Sequence, residues 1–202
     1  QLCASLVSFE SLADAQAAAD VLCTEKLLNS LKQLVVEGDS MVVLVIQLLH
    51  CLCLNPKNAE KLASCGIFPV LTAALRAEDE LLRAQGLAFL AVLAEQEGME
   101  LVLANAGICS LLASLSSSSS SDIWYWIVAI VLALLPRTAQ LRPPHRKQLL
   151  RTLRAAAERL ADGSLRLQQS ECRLLKRALS EMHVYTRMLK SAPIRPVAVR
   201  AV

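Results

Sequence analysis

Apolar positions recur at helical spacing along most of the chain, and the clearest stretch of this pattern occurs twice. The segment that starts at Leu48 aligns without gaps with the segment that starts at Phe89. The two copies are separated by about 40 residues, which we call the repeat interval, and such a period of purely helical segments is typical of stacked helical repeats. The sequence therefore predicts an all-α protein with an internal repeat, marked by the matched pairs Leu49/Leu90, Leu52/Leu93, Leu62/Leu103, Gly66/Gly107, Ile67/Ile108 and Leu71/Leu112.

Three strongly apolar helices are predicted at the same interval, over Met41–Leu54, Glu80–Ala94 and Asp122–Leu135. A helix that is apolar on most sides is buried on most sides, so these segments are expected to be inner helices. From Arg146 the pattern becomes amphipathic and basic. Two helices separated by residues 162–164 are predicted there as a C-terminal capping pair, because terminal repeats need a polar outer face.

Local signals predict where these helices begin and end. Gly66 and Gly107 are expected to close helices with positive φ. Asn55 is expected to cap a helix that starts at Pro56, and Asp122 to cap the last inner helix. The run Ser116–Ser121 is predicted to be an unpacked linker. Residues 137–145 are predicted to be a loop.

The stretch "LASCGIFPVLTAAL" from Leu62 resembles the armadillo repeat, in which a short helix ends at a glycine and a long inner helix completes the unit. The resemblance covers roughly residues 41–135 and implies a right-handed armadillo-like or HEAT-like helical solenoid of about three to four repeats. We expect one such domain over residues 1–190 and an extended or disordered tail over residues 191–202. Because the chain opens within a helical unit, we expect it to be a fragment of a longer scaffold.

The resemblance also implies that the inner helices line a binding groove. Importin-type armadillo proteins carry an Asn ladder there that holds an extended peptide, and this sequence has none. Small and apolar residues could instead accept the apolar face of a partner helix, although the same positions could simply be packed under neighbouring helices. The candidate groove residues are Gln47, Cys51, Ala88, Val92, Trp126, Ala129 and Ala133.

Charge is distributed very unevenly between the two parts of the chain. Residues 1–136 carry 6 Lys/Arg and 14 Asp/Glu, a net charge of −8, whereas residues 137–202 carry 15 and 4, a net charge of +11. The basic part suits an acidic protein partner, nucleic acid or the acidic end of another copy, or it could be only the solvated surface of a cap. The candidate contact residues are Lys147, Arg151 and Arg154 on one helix face, and Arg173, Lys176 and Arg177 on the next helix.

Other function classes find little support in the sequence. No Ser, Cys or carboxylate lies near a histidine at a spacing that implies a catalytic site, and no Gly-rich phosphate loop is present, so we expect no enzyme, no cofactor and no metal site. The seven cysteines, an odd number without a CxxC pair, indicate a reducing compartment, and we expect a cytoplasmic or nuclear location. No apolar run reaches the roughly 20 residues that cross a bilayer. The function predicted is a protein–protein interaction scaffold, with a nucleic-acid-associated module or a homotypic assembly module as alternatives.

Overall fold

The computed structural model describes residues 12–37, 39–53, 55–118, 120–165, 169, 172–173 and 175–180. These residues form helices and contain no strand, so the all-α prediction is confirmed for this part of the chain. The predicted tail and the distal part of the second capping helix lie outside the described residues. The helices are α1 (Leu12–Leu22), α2 (Glu25–Glu37), α3 (Asp39–Leu52), α4 (Asn58–Ser64), α5 (Phe68–Arg76), α6 (Glu80–Glu95), α7 (Met99–Asn105), α8 (Ile108–Leu115), α9 (Ser121–Leu134), a 3₁₀ helix (Leu135–Gln140) and α10 (Pro143–Ala161).

The helices pack in three rows, and each row links segments that are one repeat interval apart in sequence. In the first row α6 packs against α3 on one side and against α9 on the other. In the second row α4 contacts α7, and α7 contacts the 3₁₀ helix. In the third row α5 contacts α8, and α8 contacts α10. The predicted inner helices are therefore the three members of the first row, within two residues of the predicted bounds.

One continuous apolar core runs through all three rows. Leu49 of α3, Leu90 of α6 and Val131 of α9 are completely buried, and they occupy equivalent positions in successive copies of the repeat. Burial of apolar surface at about 25 cal/mol per Å² is the main term that stabilises such a stack. Leu62 and Leu103 are equally buried in the second row, and Leu71 and Leu112 in the third. The Leu and Ile pairs of the sequence pattern are therefore core positions, whereas Gly66 and Gly107 are exposed at helix ends.

Two glycines close equivalent helices by the same device. Gly66 follows α4 with φ of 72°, and Gly107 follows α7 with φ of 80°. The preceding backbone N–H groups of Cys65 and Ala106 donate to the carbonyls four residues earlier, which satisfies carbonyl groups at the helix ends. The prediction of positive φ at both glycines is confirmed.

Several predicted helix starts are wrong by a few residues. Asn55 does not cap a helix at Pro56; its Oδ1 accepts from the Lys57 N–H at 3.1 Å and forms a turn, and α4 begins at Asn58. The buried Asn58 side chain then donates to the carbonyl of Leu52, the last residue of α3, at 2.9 Å. The turn and this hydrogen bond connect the end of α3 to the start of α4. The sequence pattern of a helix cap gives no sign of either contact, so it placed the start of α4 too early.

At the start of α9 the cap position is Ser120 rather than Asp122, which lies in the first helical turn. The segment predicted to be a loop at residues 137–145 is also mostly helical. The 3₁₀ helix continues directly from α9, and Pro143 and Pro144 begin α10, where the missing N–H of a proline costs nothing. Sequence reasoning assigned these two prolines to a stiff loop because it placed the helix start at Arg146.

The serine run is held to the rest of the fold at Ser118, which corrects the prediction of an unpacked linker. The carbonyl of Ser118 accepts a hydrogen bond from Trp124 Nε1 at 3.0 Å and a second from the Arg159 guanidinium. The same guanidinium carbon lies 5.3 Å from the centroid of the Trp124 ring, in cation–π range. Trp124 is only 1% exposed, so the loop, α9 and α10 meet at one buried indole.

Long-range polar contacts join successive units at the period of the repeat. Arg159 lies 41 residues after Ser118 in sequence. Lys61 Nζ lies 2.7 Å from Asp20 Oδ1, at the same separation of 41 residues. Arg137 of the 3₁₀ helix donates to the carbonyls of Ala94, Glu95 and Gln96 at the end of α6. These carbonyls have no intrahelical donor, so Arg137 satisfies one unit's helix end from the next unit.

Replacing Gly107 with alanine should lower the free energy of unfolding by about 1–2 kcal/mol, because an L-residue is strained at positive φ. The added Cβ would meet nothing within 4 Å, so the loss would report backbone strain alone. Gly107→Asn should cost less, since Asn tolerates this conformation better. Urea denaturation measures both, with Ser110→Ala on the exposed side of α8 as the control. Equal stability of Gly107→Ala and wild type would contradict the assigned helix end.

Replacing Arg159 with methionine should destabilise the protein by roughly 2–3 kcal/mol, because it removes the hydrogen bond to Ser118 and the cation–π contact while it keeps an unbranched apolar stem. Arg154→Met is the matched control, since Arg154 is exposed on the same helix. The two midpoints of urea denaturation are compared. If both variants unfold at the wild-type midpoint, the serine loop is not held by Arg159.

Candidate functional site

The side of the first row that is not packed against other helices forms one surface, here called the inner face. On α6, residues 81, 84, 85, 88 and 92 fall within an arc of about 100° at 100° per residue. The equivalent positions one repeat interval earlier on α3 and one later on α9 continue the surface across the row. The inner face consists of Val43, Leu44, Gln47, Cys51, Leu81, Ala84, Gln85, Ala88, Val92, Tyr125, Trp126, Ala129 and Ala133.

The structure places all the predicted groove residues on the inner face. Gln47, Cys51, Val92, Trp126, Ala129 and Ala133 are half-buried there. Ala88, at the centre of the row, is only 7% exposed and offers almost no surface of its own. The three helices thus bring the predicted positions together, and the alternative of complete burial holds for Ala88 alone.

The most exposed apolar side chains of the inner face were missed by sequence reasoning. Leu44 is 55% exposed, Leu81 is 60% exposed and Tyr125 is 38% exposed. The sequence did contain a signal for Leu44. Leu44, Gln85 and Trp126 are equivalent positions spaced by one repeat interval, and Trp126 was already a groove candidate. The predicted positions on α3 and α6 are two per helix, both in the C-terminal half, and on α9 only Trp126 lies in the N-terminal half. The exposed residues lie in the N-terminal halves.

The aromatic cluster on α9 divides between the core and the inner face. Trp124 is buried, whereas Tyr125 is exposed and Trp126 is half-buried. The rings of Tyr125 and Trp126 pack edge to face, with centroids 4.8 Å apart and an interplanar angle of 77°. One aromatic side chain of this cluster therefore anchors the core, and the other two reach the inner face. Edge-to-face packing of this kind stabilises the position of both rings at the surface.

The charges around the inner face are acidic. Glu80 and Asp122 are exposed in the first turns of α6 and α9, and Glu95 is exposed at the last residue of α6. The sequences of α3, α6 and α9 contain a single Lys or Arg, Arg83, which lies about 200° around the helix from Leu81. His50 sits beside the Phe89 ring at 6.4 Å, and burial lowers its pKa, so it is neutral at physiological pH.

The basic residues predicted on α10 are exposed. Lys147, Arg151 and Arg154 share one side of the helix, while Leu149 and Leu153 on the other side are completely buried. We call these three cations the basic face. Glu158 follows four residues after Arg154 on the same side and is also exposed, which reduces the net charge of this surface.

The second predicted set of cations lies on the neighbouring helical segment. Arg173, Lys176 and Arg177 are exposed. This segment and the C-terminal turns of α10 line an open pocket of about 480 Å³, formed by Ala157, Leu160, Ala161, Cys172, Leu175, Lys176 and Leu179. The two elements are therefore neighbours. Lys176 belongs to the pocket lining, and Arg173 and Arg177 do not.

Other kinds of site were sought in the part of the chain that the structure describes. It contains no group of three or more His, Cys, Asp or Glu side chains arranged to hold a metal ion. None of its helices has both the length and the apolar character needed to cross a membrane. Comparison with protein-family models, with curated proteins and with solved structures gave no significant match.

Thiol reactivity should distinguish the inner face from the core. Cys51 is half-buried on the inner face, and Cys53, two residues later, is 2% exposed. Burial raises the pKa of the Cys53 thiol, and it raises the pKa of Cys109 to about 11. Because the thiolate is the reactive form, N-ethylmaleimide should label Cys51 well before Cys53 and Cys109 in the native protein. Mass spectrometry of timed samples measures this, with urea-unfolded protein as the control. Equal rates for Cys51 and Cys53 would contradict the assigned orientation of α3.

Proposed function

We propose that this chain is a non-catalytic protein-binding scaffold whose inner face accepts the apolar side of a helix from a partner protein. The observation that carries the proposal is the presence of Leu44, Leu81 and Tyr125 on the same side of three neighbouring helices, where each leaves a large apolar side chain in solvent. Exposed apolar residues that occur singly need no explanation, but a continuous surface across several helices is typical of a binding site.

The repeat architecture supports the same proposal. Three rows of helices that recur at one interval are what an armadillo-like solenoid of three to four units would have, with α10 as part of its C-terminal cap. Solenoids of this kind present one long surface made of equivalent positions from successive repeats. The inner face is such a surface, since all its residues except Leu81 fall into sets of three equivalent positions on α3, α6 and α9. Leu81 lies one helical turn before Gln85, which belongs to such a set.

A helical ligand fits the chemistry of the inner face better than an extended peptide does. An extended peptide needs side chains that hydrogen-bond its backbone, and Gln47 and Gln85 are the amide side chains on this surface. A helix satisfies its own backbone and presents apolar side chains, for which the surface around Val92, Trp126 and Ala133 is suited. Small residues such as Ala84 and Ala129 allow its close approach.

The basic face supports a second candidate function, the capture of an acidic partner. Lys147, Arg151 and Arg154 are exposed over two turns of α10. Exposed charges of one sign increase the rate of encounter with an oppositely charged molecule and make binding sensitive to salt. Nucleic acid would also be attracted, but Tyr185 is the one aromatic residue in the basic segment that could stack on a base. An acidic end of another copy is the third possible ligand of this surface.

Binding of helical peptides tests the main proposal. Peptides of about 18 residues, selected from a displayed helical library against the whole chain, should lose about tenfold or more in affinity for the variant Leu44→Ser, Leu81→Ser, Tyr125→Ser. All three side chains are partly exposed, so the variant should stay folded at the temperature of the assay, with a modest loss of stability from the contact between Tyr125 and Trp126. Leu101→Ser and Val21→Ser are the matched controls, because they remove exposed apolar side chains from α7 and α1. Fluorescence anisotropy measures the affinities.

Two outcomes would count against the inner face. Selected peptides that bind the triple variant as tightly as the wild type would place their site elsewhere. Loss of binding in Arg151→Glu, Arg154→Glu, with no effect of the triple variant, would assign the site to the basic face. Duplex DNA is titrated in parallel, because a steep dependence of its affinity on salt would indicate a nucleic-acid module instead.

A further inference from the structure

We infer that the helix bound by the inner face is basic: its apolar stripe is flanked by Lys and Arg side chains that reach the carboxylates around the inner face. This inference rests on the proposed function and adds the chemical class of the partner. Apolar side chains are exposed on α3, α6 and α9, carboxylates are exposed on α6 and α9, and no exposed cation accompanies them among the described residues of those helices.

The dimensions of the inner face set the length of the partner helix. Neighbouring helix axes in packed proteins lie about 8–10 Å apart, so α3 and α9 are about 20 Å apart across α6. A helix rises 1.5 Å per residue, so roughly 14 residues cross the row. A partner that lies across the row would place apolar residues at i, i+3, i+7 and i+11 against Leu44, Leu81 and Tyr125.

The carboxylates beside the exposed apolar residues favour a cation on the adjoining flank of that apolar stripe. Glu80 is exposed in the first turn of α6, next to Leu81, and Asp122 is exposed in the first turn of α9, three residues before Tyr125. Glu95 is 14 residues after Leu81, about 21 Å along the helix, and lies beyond the reach of the same partner. A helix that carries Lys or Arg on the flank facing the N-terminal ends of α6 and α9 would meet Glu80 and Asp122 while its apolar residues contact Leu81 and Tyr125.

The charges nearby strengthen this preference. His50 is neutral at physiological pH, so it does not offset the carboxylates. Arg137, at the end of α6, directs its guanidinium at the carbonyls of Ala94 and Gln96 and lies 3.9 Å from Glu100. The negative charge of residues 1–136 extends the same sign beyond the surface and would attract a basic partner at a distance.

Three versions of one amphipathic helical peptide, each long enough to cross the row, test the inference. The Leu and Ala stripe is identical in all three, and the flanking positions carry Lys and Arg, Gln, or Glu. With the whole chain at low salt, the basic version should bind about tenfold more tightly than the neutral version, and the acidic version should bind most weakly. The preference should decrease at about 0.5 M salt, because exposed charges are then screened. Fluorescence anisotropy of the labelled peptides provides the measurement.

Charge reversal on the protein locates the effect. Glu80→Lys with Asp122→Lys should remove the preference for the basic peptide and improve binding of the acidic one. Glu25→Lys with Glu60→Lys is the matched control: it changes the net charge by the same amount and also replaces exposed first-turn residues, but on α2 and α4. The control should keep the wild-type preference. Equal effects of the two pairs would show that net charge acts, rather than the surroundings of the inner face, and would overturn the inference.

The remaining outcomes separate this inference from the proposed function. If all three peptides bind equally and the triple variant Leu44→Ser, Leu81→Ser, Tyr125→Ser abolishes binding, the inner face is a docking site but the partner need not be basic, and the inference is wrong. If no peptide binds, or binding ignores the triple variant, both proposals fail. If sedimentation shows that the chain self-associates and the triple variant makes it monomeric, the occupant is a second copy, and the inference is again wrong.

Discussion

Burial of α6 between α3 and α9 is the constraint on which the rest of the arrangement depends. Nine of the 16 residues of α6 are buried, and they point in almost every direction around the helix. A helix of this kind is not stable at the surface, because it would leave a large apolar area in contact with water. It needs a neighbour on each side, and the repeat supplies them as α3 and α9. The outer rows then cover what those two inner helices leave open.

Packing of the helices into rows leaves polar groups at helix ends and in loops, and specific side chains satisfy several of them. Arg137 bonds to the carbonyl groups at the end of α6, and Arg159 bonds to the carbonyl of Ser118 in the serine run. Each comes from the next unit along the chain. Lys61 joins Asp20 in the same way, although both groups are nearly half exposed and the pair contributes little to stability. The apolar core brings the units together, and these arginines complete hydrogen bonds that packing alone would leave unmade.

The inner face differs from the other surfaces because its exposed apolar residues lie on the same side of three neighbouring helices. Leu101 and Val21 are also exposed, but they are not members of such a surface. Along α9, residues of the core and residues of the inner face are direct neighbours in sequence, as Trp124 and Tyr125 show. One residue anchors the core against Arg159, and the next two present their rings on the inner face. A rigid framework under an exposed apolar surface lowers the entropic cost of binding, since the surface is already ordered.

The sequence alone determined the all-α class, the repeat interval and the three inner helices, because these follow from the spacing of apolar residues over long stretches. It also determined the helix ends at Gly66 and Gly107, where only a residue without a Cβ adopts the required backbone easily. Exposure of the cations on α10 followed from the apolar stripe on its other side. In these cases the deciding interaction is local, or it repeats often enough to be read from one chain.

The tertiary structure decided the remaining features, because they depend on groups that are distant in sequence. The composition of the serine run predicts an unpacked linker. In the structure the side chains of Arg159 and Trp124 both donate hydrogen bonds to the Ser118 carbonyl of this run. Leu44 and Leu81 read as core leucines by hydrophobicity, and only the packing of three helices shows that they stay in solvent. The composition of a segment sets what it can bury, but its neighbours in space decide which side is covered.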